Sequence, residues 1–380
     1  PLQFTALQDV FTYLNMLPQK MVVVIDEYPY LKAMNESATV DSIFQSIIDN
    51  RIANIALIIS GSHIGMMKET LQEKNALYGR FAATIKLNEL SYLDAAKFYP
   101  DKPPYEKAAH FAVFGGSPFV NQMLCPTATL RENIIHTILN PVSPVYLYAS
   151  QLLLSDYAVK INAERIFAVL GNSKKRYTEI EDKLDAKKTG NLAKQMKPLI
   201  DLEIITRNNP INKLGDNKKS GFEINDNLLR FYFTFLYKNA STLQMLGAEA
   251  FYDEYIAPVL TEFISRRFEG ICRDYFSLQV RAGKRRGVRN IGSYYYDDPV
   301  HRKNGEFDVV LEYADGYEIY EAKYYAQPMT LDEIHREVRQ VEAIRELKVK
   351  QLGFIAINGF AEEESPYTYL DGKDIYAEES

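Results

Sequence analysis

At 380 residues the chain is long enough for two or three domains, and 47% hydrophobic with 25% charged residues is ordinary for a globular protein. Its net charge of -6 excludes a generic polyanion binder, so any nucleic-acid contact must come from local basic patches. No apolar run approaches the roughly 18–20 residues that span a bilayer, and no basic-then-apolar leader is visible. Cys125 and Cys272 give neither a disulfide framework nor a metal-ligand spacing, so no membrane contact and a reducing cytoplasm are expected.

Along the chain the pattern predicts a multidomain α/β protein. Residues 5–17 carry Leu7, Val10, Phe11 and Leu14 on one helical face. Met21–Ile25 reads as a buried parallel strand ending in Asp26-Glu27, and Ile55–Ile59 as a second one ending in Ser60-Gly61-Ser62. Helices are expected over 40–48 and 65–71, and a strand over 83–87. Strands alternating with helices imply a parallel sheet covered on both faces. Residues 106–150 turn mostly helical around Gly115-Gly116-Ser117-Pro118.

From 155 to 235 the order is helix (161–170), helix (177–184), helix (192–202), then a two-stranded hairpin enclosing the polar stretch 208–220. That is the order of a winged helix-turn-helix. Residues 250–380 offer a long helix (256–276), strands at 307–313 and 316–322, a charged helix (331–347) and a strand (351–357).

Asp26 and Glu27 at a strand end suit the P-loop roles of holding Mg2+ and orienting the attacking water, and Asp26 equally suits a helix N-cap. Taken in order, IDEYPYL, IISGSHIGMM, YGRFAATIKLNELSYLDAAKFY and GGSPFVNQML resemble the archaeal-type ATPase family, a branch of the AAA+ and STAND-like P-loop proteins. The resemblance covers residues 1 to about 150. It implies that Ser60 and Ser62 face the γ-phosphate, and that Arg80 stands where such proteins sense phosphate from a neighbouring subunit, with a homo-oligomer as the expected assembly. The family's glycine-rich phosphate loop, with its Lys and Ser/Thr, has no counterpart in these residues. ATP is therefore expected as a ligand only where that loop is supplied, the chain being either a fragment or the product of a decayed ATPase.

Arg176, Lys183, Lys187, Lys188, Lys194 and Lys197 lie along the second and third helices of the winged-helix pattern, with Lys213, Lys218 and Lys219 in its wing. They suit phosphate neutralisation on DNA, or a solvated or protein-docking surface. Residues 221–237 resemble the stretch that joins winged helix to C-terminal region in the same family.

In the last block, Asp308 opens a strand, and Glu321 and Lys323 share one face of the next strand, which a hairpin can bring beside Asp308. Two carboxylates suit Mg2+ or Mn2+, and a Lys can polarise water. The arrangement resembles the PD-(D/E)XK nuclease superfamily, with Asp308, Glu321 and Lys323 on its motif and Glu269 matching the acidic residue of its first core helix. Upstream, Arg281, Lys284, Arg285, Arg286 and Arg289 form a basic stretch suited to a phosphate backbone. His63, His110, His136, His301 and His335 have no metal-ligand spacing.

The expected organisation is a partial P-loop ATPase core (1–105), a helical lid (106–150), a winged helix (151–240) and a restriction-endonuclease-like α/β domain (241–380). The expected function is that of an ATPase-family protein acting on DNA, with Mg2+ or Mn2+ at a nuclease-like site. The alternatives are a non-enzymatic DNA-binding regulator and a STAND-like signalling switch.

Overall fold

The computed structural model describes residues 3–34, 37–50, 54–62, 64–151, 163–171, 173–186, 191–298, 303–344 and 347–377. Lys187, Lys188, His63 and His301 lie outside the described residues. The chain is mixed α/β, with parallel and antiparallel sheets, and it packs as two units, residues 1–88 and 89–380.

In the first unit, β1 (Met21–Ile25) and β2 (Ile55–Ile59) pair in parallel from Met21↔Ile55 to Ile25↔Ile59. Their runs of Val and Ile favour extended backbone. Tyr28, Val40, Phe44 and Leu77 form the unit's buried cluster, with Ile25, Leu57 and Ile59 packed against it. Cover on both sheet faces was expected, and the structure corrects this. Val22, Val24 and Ile58, on the alternate side of the strands, are 65%, 57% and 51% exposed. Residues 83–87 are also not a strand, because they join no ladder among the described residues; Ile85 and Leu87 stand out into solvent.

In the second unit, β3 (Lys175–Arg176), β4 (Ile205–Asn208) and β5 (Gly221–Ile224) form an antiparallel sheet in the order β3-β5-β4. It closes a core with the helices Ala163–Leu170, Tyr177–Lys183 and Leu192–Asp201. Strands β6 (Asn290–Asp298), β7 (Lys303–Glu312), β8 (Tyr317–Lys323), β9 (Val349–Ala356) and β10 (Thr368–Asp371) form a second sheet in the order β10-β9-β8-β7-β6. Pairing is antiparallel from β6 to β8 and parallel from β8 to β10. The long helix Ala257–Arg281 presses Phe268, Ile271, Cys272 and Phe276 onto Val309, Leu311, Tyr320 and Ile355 of this sheet, and the helices between residues 92 and 149 share the same core. Gly115 ends one of those helices at φ +70, and a Cβ on Gly116 would lie 2.2 Å from the Leu90 carbonyl oxygen; this paired glycine therefore serves backbone packing.

The loop between β4 and β5 is docked on the large sheet. Ile211 is buried with Phe307, Val310 and Ile319. The Asn212 side chain satisfies edge strand β6 like a ladder partner: its Nδ2 donates to the Tyr295 carbonyl (2.7 Å) and its Oδ1 accepts from the Tyr295 N–H (3.0 Å). Lys219 Nζ lies 3.7 Å from the centre of the Tyr295 ring.

Candidate functional site

Strands β7 and β8 pair from Glu312↔Tyr317 to Val309↔Tyr320. The next residue on each strand is Asp308 and Glu321, so both carboxyls sit where the ladder ends and the strands part. Lys323, two residues beyond Glu321 on the same face, is ion-paired to Glu321 and lies 3.4 Å from Glu337 of the helix Leu331–Glu342. From the long helix, Glu269 senses the charge of both Asp308 and Glu321, and Arg273 Nη1 donates to the Asp308 carbonyl oxygen at 2.8 Å. Asp308, Glu321, Lys323 and Glu269 are thus drawn to one place.

Burial dominates the electrostatics here. It pushes the Glu269 carboxyl up to about 8, reinforced by the Asp308 carboxylate and opposed by Arg273. Asp308 is raised for the same reason, with Arg273 and Lys174 pulling against it. Glu321 is also raised by burial, which Lys323 opposes and Glu337 reinforces. For Lys323, burial works against its charge, but the carboxylates of Glu321 and Glu337 outweigh it and the ammonium is held more firmly than usual. Among the described residues no three His, Cys, Asp or Glu side chains form a ready metal cage. The donor set still fits a hard cation that takes one or two carboxylates and completes its shell with water and phosphate oxygens, as Mg2+ does.

Beside these carboxyls lies a cavity of about 820 Å3, walled by the long helix, β4 and the β4–β5 loop, the start of β6 and Asp308 of β7. Glu269 and Asp308 line it. So do five cations that the sequence pattern did not single out: Lys174, Arg207, Arg266, Arg267 and Arg273. Lys174 is ion-paired with Glu306. Arg266, Glu269 and Arg273 do fall at helical spacing, but on a helix with both core and solvent faces that spacing alone does not separate a site from a solvated stripe. Glu337 had no signal either, being one of many charged residues on a helix that buries only Ile334, Val338 and Val341.

The other expected nucleic-acid residues are distributed more widely. Lys194, Arg281, Lys284, Arg286 and Arg289 are exposed. Arg285 is turned inward onto Glu318 (2.5 Å) and the Tyr320 hydroxyl (3.1 Å), over the Phe276 ring.

In the first unit, β1 and β2 bring the acidic pair and the serines together. Ser60 Oγ donates to Asp26 Oδ1 at 2.5 Å, and Ser62 donates to Glu27 Oε2 through N–H (3.2 Å) and hydroxyl (3.1 Å). Glu27 adopts φ +51, a left-handed conformation uncommon outside glycine. A Cβ on Gly61 would meet Pro29 Cδ at 2.4 Å, which accounts for the glycine between the serines. Arg80 is clasped by Asp49 through Nε (2.8 Å) and Nη2 (2.9 Å), and by the carbonyls of Ala76 and Tyr78.

Residues 232–338, which span the long helix, Asp308, Glu321, Lys323 and Glu337, match the model of the DUF234 family, described as archaea bacterial proteins of unknown function. An uncharacterized protein of Methanocaldococcus jannaschii is 28% identical over 276 residues, or 71% of this chain and 60% of the relative. The chain therefore spans less than two thirds of that curated relative. Two solved structures align along 97% of this chain: a Vibrio cholerae protein (TM-score 0.26, 8% identity, 92% of its chain) and Can2 from Sulfobacillus thermosulfidooxidans in complex with cyclic tetra-adenylate (TM-score 0.22, 10% identity, 90% of its chain). Likenesses this weak carry no argument. Among the described residues no helix is long and apolar enough to cross a membrane.

Proposed function

We propose that residues 241–380 form a PD-(D/E)XK-like site for divalent-cation-assisted hydrolysis of nucleic-acid phosphodiesters, presented beside a winged helix at 151–240. The observation that carries this reading is the convergence of Asp308, Glu321, Lys323 and Glu269 where β7 and β8 part. Asp308 and Glu321 would hold a Mg2+ or Mn2+, which when bound would neutralise charge developing on the phosphate. Lys323, kept charged by Glu321 and Glu337, would orient the attacking water and face the phosphate. Glu269, raised to about 8, stays mostly protonated at neutral pH and spares the site a third negative charge.

The first unit suits the acidic half of a P-loop site, with Asp26 and Glu27 held by Ser60 and Ser62. No G-x-x-x-x-G-K-[ST] stretch occurs in the sequence, so ATP is proposed only for a polypeptide that supplies it. Homo-oligomerisation is likewise proposed from the ATPase resemblance alone.

Plasmid and oligonucleotide cleavage with Mg2+ or Mn2+, compared with Asp308→Ala and Lys323→Ala, tests the reading. Each variant should lose at least about a hundredfold in rate. Equal activity in the wild type and both variants removes the hydrolytic role. The engagement of Lys323 by two carboxylates favours the second reading, a DNA-binding regulator without hydrolysis, in which strand binding persists and no cleavage occurs.

A further inference from the structure

The overall charge of the chain is negative, yet its 820 Å3 cavity gathers positive charge. Lys174, Arg207, Arg266, Arg267 and Arg273 line it against three carboxyl groups, Glu223, Glu269 and Asp308. Glu223 is shared. Arg230 Nη1 lies 2.9 Å from its Oε2 and Arg267 Nη1 3.4 Å from the same oxygen, so one carboxylate answers two buried guanidiniums. The Arg267 side chain is only 10% exposed, and its Nε has no hydrogen-bond partner among the described residues. A buried, half-satisfied guanidinium is costly unless an anion completes it, and its planar fork matches phosphate. Arg207, from β4, and Arg266, from the long helix and ion-paired with Glu262, line the same cavity. Arg207 donates to the Ser220 hydroxyl (3.1 and 3.2 Å) and to Asn217 Oδ1, and forms no ion pair among the described residues.

We infer that Arg207, Arg266 and Arg267 form a subsite for a phosphate of a single nucleic-acid strand, about one helical turn from Glu269. This rests on the phosphodiester reading of the neighbouring carboxyls. The volume suits roughly one or two nucleotides and lies in the range of small-ligand pockets, so the cavity takes a strand and not the face of a duplex. Strand β4, whose following loop is held to β6 by Asn212 and Ile211, contributes Arg207 and so completes a site that the long helix begins.

The test is fluorescence anisotropy of a short fluorescein-labelled single-stranded oligodeoxynucleotide, at low salt in EDTA, with the full chain. Arg207→Gln/Arg266→Gln alters partly exposed side chains and leaves the buried Arg267–Glu223–Arg230 group intact. It should weaken binding about tenfold or more. The control Lys97→Gln/Lys373→Gln removes the same charge from exposed sites elsewhere and should change binding less than about twofold. Equal affinities for the cavity variant and the control overturn the inference, and so does a duplex that binds as tightly as the strand. Because EDTA suppresses hydrolysis, the two claims fail separately. Lost cleavage with intact strand binding sinks only the hydrolytic reading, whereas intact cleavage with unaltered binding in the cavity variant sinks only the subsite.

Discussion

Glu269 shows how one buried carboxyl ties stability to acidity. Its folded value near 8 stands above the ordinary 4.5, so between those values the folded chain holds more protons than the unfolded one. Stability is therefore favoured at the acidic end of that window and lost as pH rises through about 8. Glu269→Gln should flatten this dependence and raise the melting temperature at pH 8 by roughly a few degrees, with little change at pH 5. Thermal scans across pH check this, and a variant whose curve tracks the wild type would refute it. This site was partly legible in the sequence. Asp308, Glu321 and Lys323 follow from strand periodicity, whereas Arg266, Arg267 and Arg273 needed the tertiary placement of one helix against a loop far along the chain.

Among the elements, the β4–β5 loop links two layers of the second unit. Ile211 lies in the sheet core, and Gly292 admits it: a Cβ there would come within 2.8 Å of Ile211 Cγ2. Ile211→Ala should cost about 2–4 kcal/mol, read by denaturant melts, and Gly292→Val should displace the loop and weaken oligonucleotide binding with it. Intact melts and intact binding would show the loop to be independent of the sheet. This coupling was invisible in sequence because β6 disguises itself. Its residues follow a basic turn and include glycine and polar positions typical of an edge, so the pattern assigns the stretch no element. Strands β3 and β10 are too short to carry a period at all. The reverse error, a strand over residues 83–87, came from a good apolar alternation that finds no ladder partner among the described residues.

For the whole molecule, charge and its placement point in opposite directions. A chain of net charge -6 should be retained by an anion exchanger near pH 7.5 and still bind a nucleic-acid strand. With about three phosphate contacts in the cavity, the logarithm of affinity should fall with the logarithm of salt at a slope near -2. A slope several times steeper would move recognition to the exposed cations at Arg281, Lys284, Arg286 and Arg289.

The Arg230–Glu223–Arg267 arrangement has a further consequence. Two like charges share the Glu223 carboxylate in a largely buried place, where Asp226 helps to offset only Arg230, so Arg267 is left the less compensated of the two. An incoming anion would relieve that imbalance, so occupancy should slow backbone amide exchange in the long helix and the β4–β5 loop together, uniting two distant stretches of sequence in one response.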